Sequence, residues 1–287
     1  MAQITFTELA KANSPSGTLW RGFAAPEQFG PWGSTQFSQS GNPAFGFYDD
    51  FLVWSPTTLV GPYAMLQTTT AWSKIADTAA NKGILSAVMN SNAEDENILK
   101  WGSALSAPFQ FGGNDLVFEC SVALSDITAS KNSFFCGLAS AASITTDQLL
   151  VDTTGIPYAT QDYVGFLKTY ADAGLVDGSY LESGSVRQDG ATKTKLDSLH
   201  TFEASATTYV KLGFRYRAHP KKVEWFVDGV LAGTASAPAM ITAAEIDAST
   251  FPNAATSFFA PYVGIKDTAG DQACTLNVDW WACAQLL

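Results

Sequence analysis

The chain has 287 residues, with 16 Lys and Arg against 27 Asp and Glu and a formal net charge of −11. That balance makes a nucleic-acid partner a poor fit, because neutralising phosphates needs dense Lys and Arg, and 46% apolar residues exclude disorder over the whole length. Only 15% of residues are charged while 13% are aromatic, so Ser, Thr, Asn, Gln and Ala must cover the surface. Two explanations stand: much of the surface faces a neighbour, or the fold is simply rich in hydroxyl-bearing strands.

Met1–Trp20 has no basic region ahead of an apolar stretch, so no signal peptide is expected. Residues 1–48 read as an extended N-terminal arm. Gly17, Gly22, Gly30, Gly33, Gly41 and Gly46 alternate with Pro15, Pro26, Pro31 and Pro43, which interrupts regular structure. Its charges, Glu8, Lys11, Arg21 and Glu27, cancel. Yet it carries Phe6, Trp20, Phe23, Phe29, Trp32 and Phe37, and then Phe45, Phe47 and Tyr48. Aromatic rings gain by leaving water, so this arm needs a surface to lie on. That surface is either its own domain or a neighbouring subunit.

From Asp49 to Leu287 the pattern is that of strands. The longest uncharged run, Phe51–Ser73, is broken by Pro56 and Pro62 and is no membrane span. A short helix is expected over Ser73–Asn81, followed by a strand over Gly83–Met89 and a solvated turn at Glu94-Asp95-Glu96. Leu116, Phe118, Cys120, Val122 and Leu124 alternate with Val117, Glu119, Ser121 and Ala123, the period of a strand with two unlike faces. Strands are expected at Ser133–Leu138 and Tyr163–Tyr170, with a short helix at Thr146–Val151 between them. Val210 to Arg217 alternates without error. Val223, Trp225 and Val227 lead into Asp228-Gly229 and then Val230-Leu231-Ala232, a strong hairpin signal because both turn residues favour positive φ. After a third short helix at Ile241–Ala248 and a strand at Phe258–Ile265, Cys274, Leu276, Val278, Trp280 and Ala282 share one face. That places Trp281 on the polar face. Many strands, short turns and no long helix imply antiparallel sheets packed face to face, an all-β sandwich.

Enzymatic signatures are missing. There is no GxxxxGK[ST] loop, GxSxG elbow, HExxH pair or Gly-rich dinucleotide turn. His200 and His219 are the only histidines, and His219 before Pro220 reads as a turn residue. Glycoside hydrolysis needs two carboxyl groups about 5–9 Å apart, whereas Glu119, Glu224 and Asp279 stand singly on their strands. Asp162, Asp172, Asp177, Glu182 and Asp189 lie in a Gly-rich stretch that suits Ca²⁺ ligands in type but not in spacing. Cys120, Cys136, Cys274 and Cys283 contain no CxxC pair and are expected to be buried thiols. No catalytic residue, metal or cofactor is expected. Trp101 and Trp281 are candidates for stacking on sugar rings.

Val223-Glu224-Trp225-Phe226-Val227-Asp228-Gly229-Val230 resembles the W-x-V-D-G hairpin of concanavalin A-like lectin/glucanase jelly rolls. Leu276-Asn277-Val278-Asp279-Trp280 resembles their closing strand. Tyr48-Asp49-Asp50-Phe51 resembles the opening of such sandwiches in tailed-phage particles. The resemblance covers Asp49 to Leu287 and implies a jelly-roll β-sandwich. The glucanases' E-x-D-x-x-E strand is absent, and legume-type metal ligands are not matched, so hydrolysis does not carry over. What does carry over is a virion structural protein of the capsid decoration (cement) or head-fibre type, assembled in the bacterial cytoplasm. Its arm, through Phe6, Trp20, Phe23, Phe29, Trp32 and Phe37, would bind the major capsid protein or other copies of the chain as a homo-oligomer. A glycan-binding adhesin that holds host-surface polysaccharide is the alternative, and a glycoside hydrolase is third.

Overall fold

The computed structural model describes residues 19, 34–37, 43–49, 51, 63–67, 72–74, 83–89, 96–101, 107–128, 131–140, 162–169, 175–181, 194–233, 239–243, 251–252, 258–267 and 274–286. Among them are seventeen strands, numbered here in chain order. The first six are β1 (Ser34–Phe37), β2 (Pro43–Asp49), β3 (Tyr63–Gln67), β4 (Trp72–Lys74), β5 (Leu85–Val88) and β6 (Glu96–Trp101). Next come β7 (Leu116–Leu124), β8 (Asn132–Ser140), β9 (Tyr163–Lys168), β10 (Leu175–Leu181), β11 (Thr194–Thr201) and β12 (Val210–Arg217). The last are β13 (Lys222–Val227), β14 (Val230–Leu231), β15 (Met240–Ile241), β16 (Phe259–Asp267) and β17 (Thr275–Leu286).

The strands form two antiparallel sheets. One has ten strands along the path β1-β2-β17-β7-β12-β13-β14, with β15 on β13 and with β5 and β4 beside β17. The other has seven, in the order β11-β10-β9-β8-β16-β6-β3. Inward residues of the two interlock in one core around Trp72, Trp225 and Trp281. The Trp225 indole crosses that core and donates to Gly165 O of the opposite sheet at 3.4 Å. No helix among the described residues is long and apolar enough to cross a membrane.

Local chemistry accounts for two of the three motifs of the resemblance. At Asp228-Gly229 both φ angles are positive, 49° and 74°, as a type I′ hairpin requires. The Asp228 carboxylate then accepts the Lys211 amide at 2.9 Å, tying the turn to β12. At Asp49 the carboxylate accepts the Phe51 amide at 2.7 Å and also the Tyr63 hydroxyl. These bonds hold the buried Phe51 at φ 53° as the chain leaves β2.

Three expectations need correction. Ser73 and Lys74 belong to β4 and Ile241 to β15, not to helices, whereas Ala243 is helical; residues 75–81 and 244–248, and Thr146–Val151, lie outside the described residues. The sandwich also begins before Asp49. Ser34–Phe37 and Pro43–Asp49 are sheet strands, β2 pairs with β17, and Phe47 is a core residue. Finally, β17 does not keep a single alternation. Val278 faces Val122 and Trp280 faces Ser121, so Asp279 is the extra residue of a β-bulge. Beyond it the faces exchange: Trp281 and Cys283 point into the core, while Trp280, Ala282 and Ala284 point out.

Candidate functional site

Each outer face carries a buried apolar cluster of its own. On the ten-stranded sheet, Val117, Phe226, Trp280, Ala282 and Ala284 form an apolar cluster closed by Leu19. Leu19 Cδ2 rests where a Cβ on Gly213 would stand, so glycine leaves the space that seats it. The Arg215 guanidinium donates to Leu19 O at 3.5 Å. Of the arm, then, Leu19, Phe45, Phe47 and Tyr48 lie on their own sandwich. Phe6, Trp20, Phe23, Phe29 and Trp32 lie outside the described residues, and of Phe37 only the backbone, in β1, is described.

The outer face of the seven-stranded sheet is built in rows that the register fixes. Glu96, Lys266 and Ser133 stand side by side across β6, β16 and β8. Ile98, Gly264, Phe135, Leu167 and Asp177 form the next row. Lys100, Tyr262, Gly137, Gly165 and Ser179 form the third, and Ala260, Ala139 and Tyr163 the fourth. Rings and ammonium groups thus surround a strip of bare backbone. A Cβ on Gly137, whose φ is +157°, would collide with Val164 O and the Gly165 Cα, and one on Gly165 with Cys136 O. Only glycine permits the two strands to approach so closely there.

The polar groups of this face are shielded. Glu96, Lys100, Ser133 and Lys266 are all fully buried. Lys100 Nζ lies 5.8 Å from the Tyr262 ring centroid, a cation–π arrangement, and the Tyr262 hydroxyl donates to Ser140 O at 3.3 Å. Burial lowers the Lys100 pKa to about 8. Tyr163 meets Phe135 edge-on at 5.9 Å. Ser133 Oγ has no hydrogen-bond partner, an uncommon state for a buried hydroxyl and one a polar ligand or water would relieve.

Trp101 and Trp281, the expected stacking platforms, both belong to the core. Trp101 is 6% exposed and stacks on Phe47 at 4.7 Å, and Trp281 is wholly buried against Phe47, Phe51 and Tyr63. Neither ring offers a face to a sugar. The bulge at Asp279 is the reason Trp281 lies inside. Asp177 of the suspected calcium set accepts the Ser198 amide at 2.8 Å where β10 and β11 shift register. Asp162 is buried at the entry to β9, and Asp172, Glu182 and Asp189 lie outside the described residues or have no described side chain. Among the described residues no three His, Cys, Asp or Glu side chains cluster. His200 is edge-on to Phe202 at 5.7 Å, and burial, outweighing Asp228 and Glu203, lowers its pKa. The polar outer-face set was missed in the sequence because Glu96-Asn97-Ile98-Leu99-Lys100-Trp101 shows no apolar alternation.

No family model matches the chain, and no curated protein matches it. Among solved structures, the carbohydrate recognition domain of Emp46p in its potassium-bound form is similar with a TM-score of 0.55 at 10% identity, over 82% of this chain and 94% of that one. The fold is lectin-like. Peanut lectin is similar with a TM-score of 0.51 at 10% identity, over 84% of this chain and 97% of that one. A protein of unknown function from Shewanella oneidensis MR-1 gives 0.52 at 12% identity, over 88% and 91%. These likenesses bear out the jelly-roll sandwich expected from the W-x-V-D-G hairpin.

Proposed function

We propose that this protein is a non-catalytic carbohydrate-binding module, a glycan-binding adhesin, whose ligand meets the outer face of the seven-stranded sheet. The observation that carries the reading is an architecture shared across most of the chain with proteins described as carbohydrate recognition domains and a lectin. The groups of this face that could meet sugar hydroxyls, the Ser133 hydroxyl and the Lys100 and Lys266 ammonium groups beside Tyr262 and Tyr163, are fully buried, so on this reading a ligand binds only once they are uncovered. Carbohydrate binding needs no proton relay, and none of the familiar catalytic motifs is present. Glycan-array binding by the intact chain tests it. The expected result is a defined set of retained glycans, with signal reduced about tenfold or more in Ser133→Ala or Lys100→Met at unchanged circular dichroism. No retention above background by the intact protein would end the reading.

A second reading makes the chain a virion structural protein, attached to a capsid protein or to its own copies. The low charge content and the aromatic-rich first residues favour it, together with the resemblance at Tyr48-Asp49-Asp50-Phe51. On this reading the attaching segment lies before β1, since β2 is part of the sandwich itself.

A further inference from the structure

The apolar cluster on the outer face of the ten-stranded sheet is broader than the one leucine that closes it. Val117, Trp280, Ala282 and Ala284 point away from the core, yet none is more than 1% exposed. Among the described residues of the cluster, Leu19 alone stands off the sheet strands. It sits over Gly213 of β12, whereas the cluster runs on across β7 and β17 to Tyr48 of β2. The floor is low there: Ala282 and Ala284 face Tyr48 and Gly46, and a Cβ on Gly46 would strike Cys283 O and Ala284. Two rings, Trp280 and Tyr48, edge this trough with centroids 6.0 Å apart. Trp280 Nε1 is buried without a hydrogen-bond partner. Such a trough suits flat apolar side chains and offers one N–H to a backbone carbonyl.

We infer that this trough is the docking site for residues 20–33 of the same chain. Both ends of that segment are fixed: Leu19 rests on the outer face at β12, and Ser34 opens β1 at the rim of the same sheet. Between them, in sheet order, lie β7, β17 and β2. That makes four strand spacings, about 19 Å. The fifteen peptide steps from Leu19 to Ser34 reach about 50 Å when extended, so the span is met with length in hand. The direct path crosses Val117, Ala284 and Gly46, which stand side by side. Composition agrees: the segment carries Trp20, Phe23, Phe29 and Trp32, and its only charges are Arg21 and Glu27. Because it is tethered at both ends, docking is intramolecular, and another copy must compete with a high effective concentration. The four rings are then satisfied within one molecule, and contact with a neighbour falls to residues 1–18, where Phe6 lies.

The test places the photo-cross-linker p-benzoylphenylalanine at Phe23 or at Phe29 of the full chain, followed by irradiation, denaturing electrophoresis and peptide mapping. The expected product has the mass of one chain and links the probe to peptides from β2, β7 or β17. A product of two chain masses would assign the trough to a second copy. Links to the seven-stranded sheet, or no link at all, would mean that another occupant fills it. Each of those results overturns the inference. Stability gives an independent reading. Replacing Trp20, Phe23, Phe29 and Trp32 together by alanine should lower Tm by about 5 °C or more, and an unchanged Tm would overturn the inference as well.

Discussion

The two outer faces use glycine to opposite ends. On the ten-stranded sheet Gly213 opens a socket, and the chain's own Leu19 fills it, over a cluster of Val117, Phe226, Trp280 and alanines. On the seven-stranded sheet Gly137 and Gly165 bring two strands together, and the side chains beside them are Lys100, Tyr262, Phe135 and Tyr163. The first face is a packing surface whose occupant is part of the same chain. Both faces hold buried charged side chains, Glu119 and Arg215 on the first and Lys100 and Lys266 on the second, and each has a buried polar atom without a partner, Trp280 Nε1 on the first and Ser133 Oγ on the second.

The glycine seam should give the largest effect. Gly137→Ala meets cross-strand backbone that no rotamer change can relieve, and it also sits at positive φ. A loss of about 3 kcal/mol or more is expected in urea unfolding. A near-neutral Gly137→Ala would mean that the seven-stranded face is not built around bare backbone.

Leu19→Ala comes next. Emptying the socket should cost about 2–3 kcal/mol in urea unfolding. Unchanged stability would mean that Leu19 does not close the cluster on this face.

Lys100 gives the smallest effect, but one with a clear sign. Its folded pKa of about 8 lies below the ordinary 10.5, so between those values the unfolded chain binds more protons and stability rises with pH. The cost of burying the ammonium is fully present below pH 8 and is gone above about 10.5. Lys100→Met should therefore be the more stable protein at pH 7, by about 1 kcal/mol after solvent screening, with the gap closing as pH rises through this window. A parallel pH profile for the two proteins would mean that Lys100 is not shielded.

Much of this architecture was legible where one face is apolar and the other polar. Val210–Arg217 and Leu116–Leu124 begin and end where their alternation does, and Asp228-Gly229 announced its hairpin. Strand β6 was harder. All six residues of β6 are buried although three of them, Glu96, Asn97 and Lys100, are polar, and that pattern reads as a loop. Register irregularity was invisible: nothing in Val278-Asp279-Trp280 marks the extra residue that turns Trp281 inward. The candidate face was illegible for a related reason. It is assembled from single residues on β6, β8, β9 and β16, which only sheet pairing brings together.

The rims of the sheets set a further condition on how this molecule meets others. The path of the ten-stranded sheet ends in β14, two residues long, and in the four-residue β1. Rims so short give an incoming strand little backbone to zip onto. At the rim of the other sheet, β11 is eight residues long, but its pairing with β10 is kinked at Asp177. Crowded copies of such a body would resist fusing into continuous fibres, and any ordered array of them would have to be joined through flat surfaces or tails.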